Sequence, residues 1–353
     1  MQENFSLASL SSMEVGGHCR YYIYVDNVKR LDSLFRWIDS ENVNYIILGG
    51  GSNTIFLDDF FDGLVIHVGI VEKSIINSNK TDKVIEVGAG VDWNEFVQET
   101  VENNLWGLEN LTLIPGYVGA VAVQNVGAYG QEVKNVIEYV NAFDTKTHNH
   151  VRLSNVDCKF SFRQSIFNTS EKNRYIITSI AFNLTYTHRP ILSRLNIKEA
   201  GTPNEVRIEI EKMRTNGIIL PKPGVEGNCG TFFRATEINF NQLPKIILMN
   251  LIKLNIILIF RILKCAKKQR RGNTFKLPSS LIIYDVFQEY PCFGSFTLYE
   301  TNPAIVVNKK DKEPKIEDLV ELINFVIDTV ERKTSITIPI EPELIGFDKK
   351  RWL

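Results

Sequence analysis

Tyr45-Ile-Ile-Leu-Gly-Gly-Gly-Ser-Asn-Thr-Ile-Phe-Leu57 joins two short apolar runs through three consecutive glycines and two small polar residues. The run before the glycines reads as a buried strand, and Thr54–Leu57 reads as a second strand. A doubly wound dinucleotide fold needs G-x-G-x-x-G spacing and a helix at that place, and neither is present. Gly49, Gly50 and Gly51 free the backbone to curl its N–H groups round an anion, with Ser52 and Asn53 adding side-chain donors. The competing reading is a flexible hairpin turn, and a phosphate cradle would need a second half elsewhere.

Upstream, Arg20–Val25 is rich in β-formers, and Leu31, Leu34, Phe35 and Ile38 recur at helical spacing. Downstream, Val87-Gly-Ala-Gly90 leads into Asp92 and Glu95 at capping-box spacing, and Trp93, Phe96, Val97, Thr100 and Val101 form a helical core stripe. Ile114-Pro-Gly-Tyr-Val-Gly119 and Val123-Gln-Asn-Val-Gly-Ala-Tyr-Gly130 follow, dense in small residues and almost uncharged. Gly116, Gly119, Gly127, Ala128 and Gly130 suit backbone wrapped closely on a ligand. Gln124 and Asn125 would read its polar rim, and Tyr129 would stack or hydrogen bond. This is the candidate second half of the cradle, with a tightly turned structural loop as the alternative.

Val136–Asp144 and Tyr175–Thr185 are long strand-like runs. Between them Arg163 sits among aromatics, where a guanidinium needs either an anion or a ring and solvent. Pro190 and Pro203 punctuate a linker, placing a domain boundary near 188–203, and Asn204–Met213 has helical spacing. Gly227-Asn-Cys-Gly-Thr-Phe-Phe-Arg234 sets the Thr231 hydroxyl beside glycines, two aromatics and a cation, in the manner of a presented catalytic group or of an ordinary glycine turn. Residues 238–273 are dominated by Ile, Leu, Asn and Lys, a composition consistent with an out-of-frame or drifting reading of AT-rich coding sequence. Asn250, Lys253, Asn255 and Arg261 interrupt the apolar run, which argues against a membrane span and leaves a surface amphipathic helix, a core helix or a poorly specified insert. Ile316, Leu319, Ile323, Val326 and Val330 mark an amphipathic helix, and Glu341 and Glu343 stand between prolines near the end.

A chain of 353 residues implies two or three domains. Forty basic residues against forty-one acidic give a formal charge of −1, so no electrostatic footprint points to nucleic acid. Five scattered cysteines, never in a Cys-x-x-Cys pair, argue against a disulfide framework and a structural zinc site and fit a reducing cytoplasm. The polar start, Met1-Gln-Glu-Asn-Phe-Ser, lacks the pattern of a signal peptide.

In succession, GGGSN, VGAG, IPGxVG, QNxGAYG, FRxSIF, GNxGTFF and EPE resemble the UDP-N-acetylenolpyruvoylglucosamine reductases, across about residues 4–236 and 275–348. The resemblance implies an α+β chain: a two-lobed FAD-binding domain of the vanillyl-alcohol-oxidase (PCMH) type over 1–188, with lobes of about 1–70 and 71–188. A substrate-binding domain over 203–353 would then contain the atypical insert at about 238–273. It implies FAD held by 49–53 and 114–130, NADPH as co-substrate, and transfer of hydride through the flavin to the vinyl carbon of UDP-N-acetylglucosamine enolpyruvate. By the same resemblance Arg163 binds and polarises the substrate carboxylate, Glu343 assists, Thr231 donates the proton, and Asn228 and Arg234 contact substrate. No metal is implied, and the enzyme is expected to be a cytoplasmic monomer with no nucleic-acid or membrane partner.

Several positions depart from the family. Thr231 replaces a serine or cysteine, Ile219 a substrate lysine, Arg194 a tyrosine, Ala122 a proline, Arg234 a lysine, and Ala235-Thr236 an asparagine-proline. Most lie on the substrate side, so the alternative is a non-catalytic or impaired homologue that binds flavin or UDP-sugar.

Overall fold

The computed structural model describes residues 1–346 except 196, 219, 222 and 223, and at 271 the backbone alone. The Ile219 position, where the family lysine is missing, lies outside the described residues. The chain divides into two compact units: residues 1–5, 18–52 and 60–214, and residues 6–17, 53–59 and the chain from Thr215 onward.

In the first unit, His18–Val25 and Tyr45–Leu48 both pair in parallel with Phe60–Val68, and Gln2–Ser6 completes a four-stranded sheet. The parallel register needs a crossover, supplied by the Arg30–Glu41 helix, whose Leu31, Leu34, Phe35 and Ile38 are buried. A second, antiparallel sheet has five strands, with Tyr175–Thr185 between Ile137–Asp144 and Asp82–Gly88. Against it lies the Trp93–Glu102 helix, started by the Asp92 carboxylate accepting from the Glu95 N–H at 2.9 Å and burying the full apolar stripe read from sequence. Both sheets drain into one apolar core. Across the end of the second sheet, Arg174 grips Asp144 with two hydrogen bonds of 3.0 and 2.7 Å, which hold the Asp144 carboxyl down at about 2.

The Pro203–Thr215 helix, which the sequence places beyond the boundary at 188–203, belongs to this first unit. Val206 and Ile210 are buried with Trp106 and Ala200. At its end Arg214 donates to the Leu113 carbonyl at 3.0 Å. Two prolines mark an irregular segment without marking where the core changes.

The second unit is built round the Ile316–Thr334 helix, the Phe296–Leu298 hairpin strands and a small sheet of Thr236–Asn239, Thr274–Leu277 and Arg270–Arg271. Residues 238–273 are not a structureless insert. They form the Leu243–Ile252 and Ile256–Lys268 helices, and Ile246, Leu258, Ile262, Cys265 and Ala266 enter the core. Among the described residues no helix is long and apolar enough to cross a membrane.

Three of the polar residues that interrupt the apolar run, Asn250, Lys253 and Asn255, cap the Ile316–Thr334 helix. A helix leaves its last carbonyls without intrahelical donors. Asn250 donates to the Thr334 carbonyl at 2.9 Å, Asn255 to Lys333 at 3.0 Å, and the Lys253 ammonium to Arg332 at 2.7 Å. Asn250 is fully buried and also donates to the Ile246 carbonyl, while its own oxygen accepts from Asn255. Asn250→Ala should therefore cost about 1–3 kcal/mol, because it strands a buried carbonyl. Urea denaturation should show this as a lowered midpoint at unchanged slope.

Candidate functional site

Three glycines can approach another backbone more closely than any other residue can. In the first unit a Cβ on Gly50 would lie 2.9 Å from the Gly116 Cα and 3.1 Å from the Tyr117 ring. A Cβ on Gly116, whose φ is +116°, would lie 2.7 Å from the Ser52 hydroxyl, which donates to the Pro115 carbonyl at 3.1 Å. The two glycine segments proposed as halves of one cradle are thus in direct backbone contact. Gly119 has a different duty: a Cβ there would meet Ala89 at 2.8 Å, so it seats the Val118–Val123 helix on the strand end at Ala89.

The segment from 124 to 130 is braced from behind. Gly127 and Ala128 pair with Glu132 and Gln131 in a hairpin whose two turn residues, Tyr129 and Gly130, have φ of +47° and +90°. Asn125 is buried and spends its amide internally, donating to the Ser161 carbonyl and Glu132 and accepting from the Lys134 N–H. Asn110 donates to the Tyr129 and Ile191 carbonyls, and Gln131 links Asn110 to the buried Glu109, whose carboxyl burial pushes up. The Tyr129 ring packs on the cluster of Trp106, Val206 and Ile210. Asn125 and Tyr129 thus shape the loop, a role that composition alone does not separate from ligand contact.

Three functional candidates were not read from sequence. Glu109-Asn110 is a polar pair inside an apolar segment, which was the available signal. Arg214 resembled an ordinary basic residue at a helix end. His67 stands within the apolar strand Leu64–Val68, with Nδ1 2.9 Å from the Tyr22 hydroxyl and its ring stacked on Tyr117 at 5.8 Å. Among the described residues its Nε2 is buried without a hydrogen-bond partner, and burial pushes its pKa down.

Arg163 occupies the tip of a tight turn in which Ser161 and Gln164 pair, with φ of +57°. The expected apolar setting is only partial: Phe162 beside it is exposed, and the guanidinium lies 6.0 Å from that ring. Against the upward push of burial, the Glu132 carboxyl is held down by hydrogen bonds from Lys134 and Asn125 and by the charges of Lys134 and Arg163.

In the second unit, Thr231 is exposed on a segment laced by main chain on both sides. Phe232 and Phe233 donate to the Ala304 carbonyl, Arg234 donates to Pro339, and Glu341 donates to Phe232. The motif's glycines differ in kind. Gly230 has φ of +72° with open space around it, whereas Gly227 is required by proximity, a Cβ there lying 3.0 Å from the Met13 carbonyl. Asn228 spends its amide on the turn, accepting from Gly230 at 3.0 Å and donating to Glu226. Arg234 is exposed. Cys229 is buried and its thiol is pushed far up by burial, whereas the neighbouring Thr231 is exposed. Glu343 begins a strand parallel to Thr54–Phe56, and its N–H donates to the Asn53 carbonyl at 2.9 Å. Asn53 and Glu343 are therefore neighbours within the second unit.

A family model described as an FAD binding domain matches residues 19–153. The UDP-N-acetylenolpyruvoylglucosamine reductase of Flavobacterium johnsoniae is 36% identical over 255 residues, 69% of this chain and 75% of that protein. That of Buchnera aphidicola subsp. Baizongia pistaciae is 28% identical over 350 residues, 97% of this chain and 98% of that protein. The chain belongs to this reductase family. The solved structure of the Thermus caldophilus UDP-N-acetylenolpyruvylglucosamine reductase shares the fold, with a TM-score of 0.64 at 20% identity and 97% coverage of both chains. The expected α+β fold and FAD dependence follow, and the chain is an FAD-containing, NADPH-dependent oxidoreductase.

The cradle fits a flavin dinucleotide. Its glycines leave no room for side chains, and the unpartnered His67 nitrogen beside Tyr117 would accept or donate one more hydrogen bond. Gly50→Ala and Gly116→Ala should each reduce the bound flavin per protein by more than about half, because the two backbones can no longer touch. The absorbance ratio of flavin to protein, with circular dichroism as a folding control, measures this. Burial of neutral His67 gives a second expectation. The unfolded chain takes up a proton near pH 6.5 and the folded one resists it, so this contribution to stability is complete above that pH and is lost as pH falls below it. His67→Asn should flatten the pH dependence of the thermal midpoint between about pH 5 and 7.

Proposed function

We propose that this enzyme reduces UDP-N-acetylglucosamine enolpyruvate to UDP-N-acetylmuramate at the expense of NADPH, in the synthesis of peptidoglycan precursors. Membership of the reductase family carries the reading, and the laced presentation of Thr231 supports its chemistry. When bound, FAD accepts hydride from NADPH and supplies it to the vinyl carbon of the substrate.

The chain's own groups handle the charge that follows. Hydride arriving at the vinyl carbon leaves negative charge on the neighbouring carbon and its carboxylate. The Arg163 guanidinium binds that carboxylate and stabilises the charge. The Thr231 hydroxyl delivers its proton to the carbon, and Glu343 assists at the carboxylate end. Gly49, Gly50, Gly51, Ser52 and Asn53, with Gly116 and the 124–130 loop, hold the cofactor. Asn228 acts by setting the turn below Thr231, and the exposed Arg234 is available to the nucleotide sugar.

All five cysteines are unpaired, which favours a reducing cytoplasm as the place of action. A single chain carries every group invoked, so the monomer is sufficient.

The extra methyl of threonine restricts χ1 without changing the proton it offers. Thr231→Ser should therefore retain or raise the rate of the substrate half-reaction. Thr231→Ala should leave flavin reduction by NADPH within about twofold and slow its reoxidation by the enolpyruvyl sugar by roughly 10²–10⁴-fold. Stopped-flow spectroscopy of the two half-reactions distinguishes these outcomes; an unchanged reoxidation rate in the alanine variant would remove Thr231 from the chemistry.

A further inference from the structure

The outward side of the helices between 243 and 268 has an unusual surface. Their inner side is spent on the core and on the cap of the Ile316–Thr334 helix. The outer side is apolar at the turn between them: Leu251, Ile252, Leu254, Ile257 and Phe260 are exposed, Leu254 by 79% and Phe260 by 68%. Soluble monomers rarely leave so many large apolar side chains together in water.

The charge along the same stretch is one-sided. Between residues 238 and 273 the sequence has eight Lys and Arg and no Asp or Glu, in a chain whose formal charge is −1. Two of these cations are committed internally, Lys253 to carbonyls of the long helix and Arg261 to Asp285. Lys264, Lys267 and Lys268 are exposed, and Lys264 and Lys267 continue the face of Ile257 and Phe260 at spacings of three and four. From Ile257 to Lys267 is about 15 Å of helix axis. Apolar side chains at one end and ammonium groups at the other thus match the depth of an acyl boundary and its headgroups. Tyr284, exposed beside Arg261 with the guanidinium 5.3 Å from its ring, adds an aromatic of the kind that favours such a boundary.

We infer that this face docks on an anionic lipid bilayer, with the 251–260 turn inserted shallowly and Lys264, Lys267 and Lys268 against lipid headgroups. The enzyme would then be peripheral, attached by its second unit. A second copy of the chain is the poorer occupant, because apposing two such faces would bring like charges together with no carboxylate between 238 and 273 to relieve them. The sequence alone leaves a surface amphipathic helix among the readings of this stretch, and a surface contact needs no membrane span.

The holoenzyme tests this by co-sedimentation with vesicles of phosphatidylcholine alone or with about one-third phosphatidylglycerol. Partition should favour the anionic vesicles by at least about tenfold and fall in about 0.5 M salt. Combined Lys264→Gln, Lys267→Gln and Lys268→Gln should weaken it by roughly 10–100-fold, and Phe260→Asp comparably, with bound FAD unchanged. Absence of sedimentation, or equal binding to neutral vesicles, would overturn the inference. So would a concentration-dependent dimer in light scattering that Phe260→Asp abolishes while vesicles are ignored. The wild-type comparison of lipids and salt needs no variant, so a poorly folding variant leaves the test intact.

Discussion

The close approach of two backbones at Gly50 and Gly116 is the constraint on which the cofactor-binding unit rests. One added carbon at either position would fall within 3 Å of the other loop. Everything nearby serves that contact. The parallel strands deliver the 49–52 loop, the 93–102 and 118–123 helices deliver the other, and Gly119 lets the shorter helix settle on Ala89. Behind the second loop the buried set Glu109, Asn110 and Gln131 fixes carbonyls that a mobile loop would leave wandering. Loops fixed in this way keep their backbone groups in position, so that little conformational entropy is lost on binding.

The second unit solves a related problem by a different route. Thr231 stands exposed, yet Phe232, Phe233 and Arg234 after it are fastened to Ala304 and to 339–341, and Gly227 before it to Asn308, by main-chain hydrogen bonds. A hydroxyl on such a frame has little freedom beyond its own χ1, which is the freedom that a β-branched side chain limits further. The substitution of threonine for serine or cysteine thus changes the crowding at the site and leaves the presentation of the hydroxyl intact.

Residues 238–273 show how one segment carries several demands. Asparagines and a lysine that interrupt an apolar run are the donors for the last carbonyls of the Ile316–Thr334 helix. The apolar residues then divide between the core and the outer face, and the cations gather toward the end of the second helix. A composition that reads as drift from the family becomes, in three dimensions, a capped and amphiphilic helical pair.

Local patterns were sufficient for much of this protein. The 2- and 3.6-residue periods placed the main strands, the 93–102 helix and its Asp92 cap, and the ordered glycine motifs located both loops, because these features depend on neighbours close in sequence. Two things were beyond that reach. Whether Asn125 and Tyr129 face a ligand or brace a loop depends on Ser161, Trp106 and Val206, tens of residues away. The duties of His67, Arg214 and Asn250 are decided likewise by partners at long separation. Spacing along the chain determined which segments bend and which stay straight; burial and unsatisfied hydrogen-bonding groups, which exist only once distant segments meet, decided what each polar side chain does.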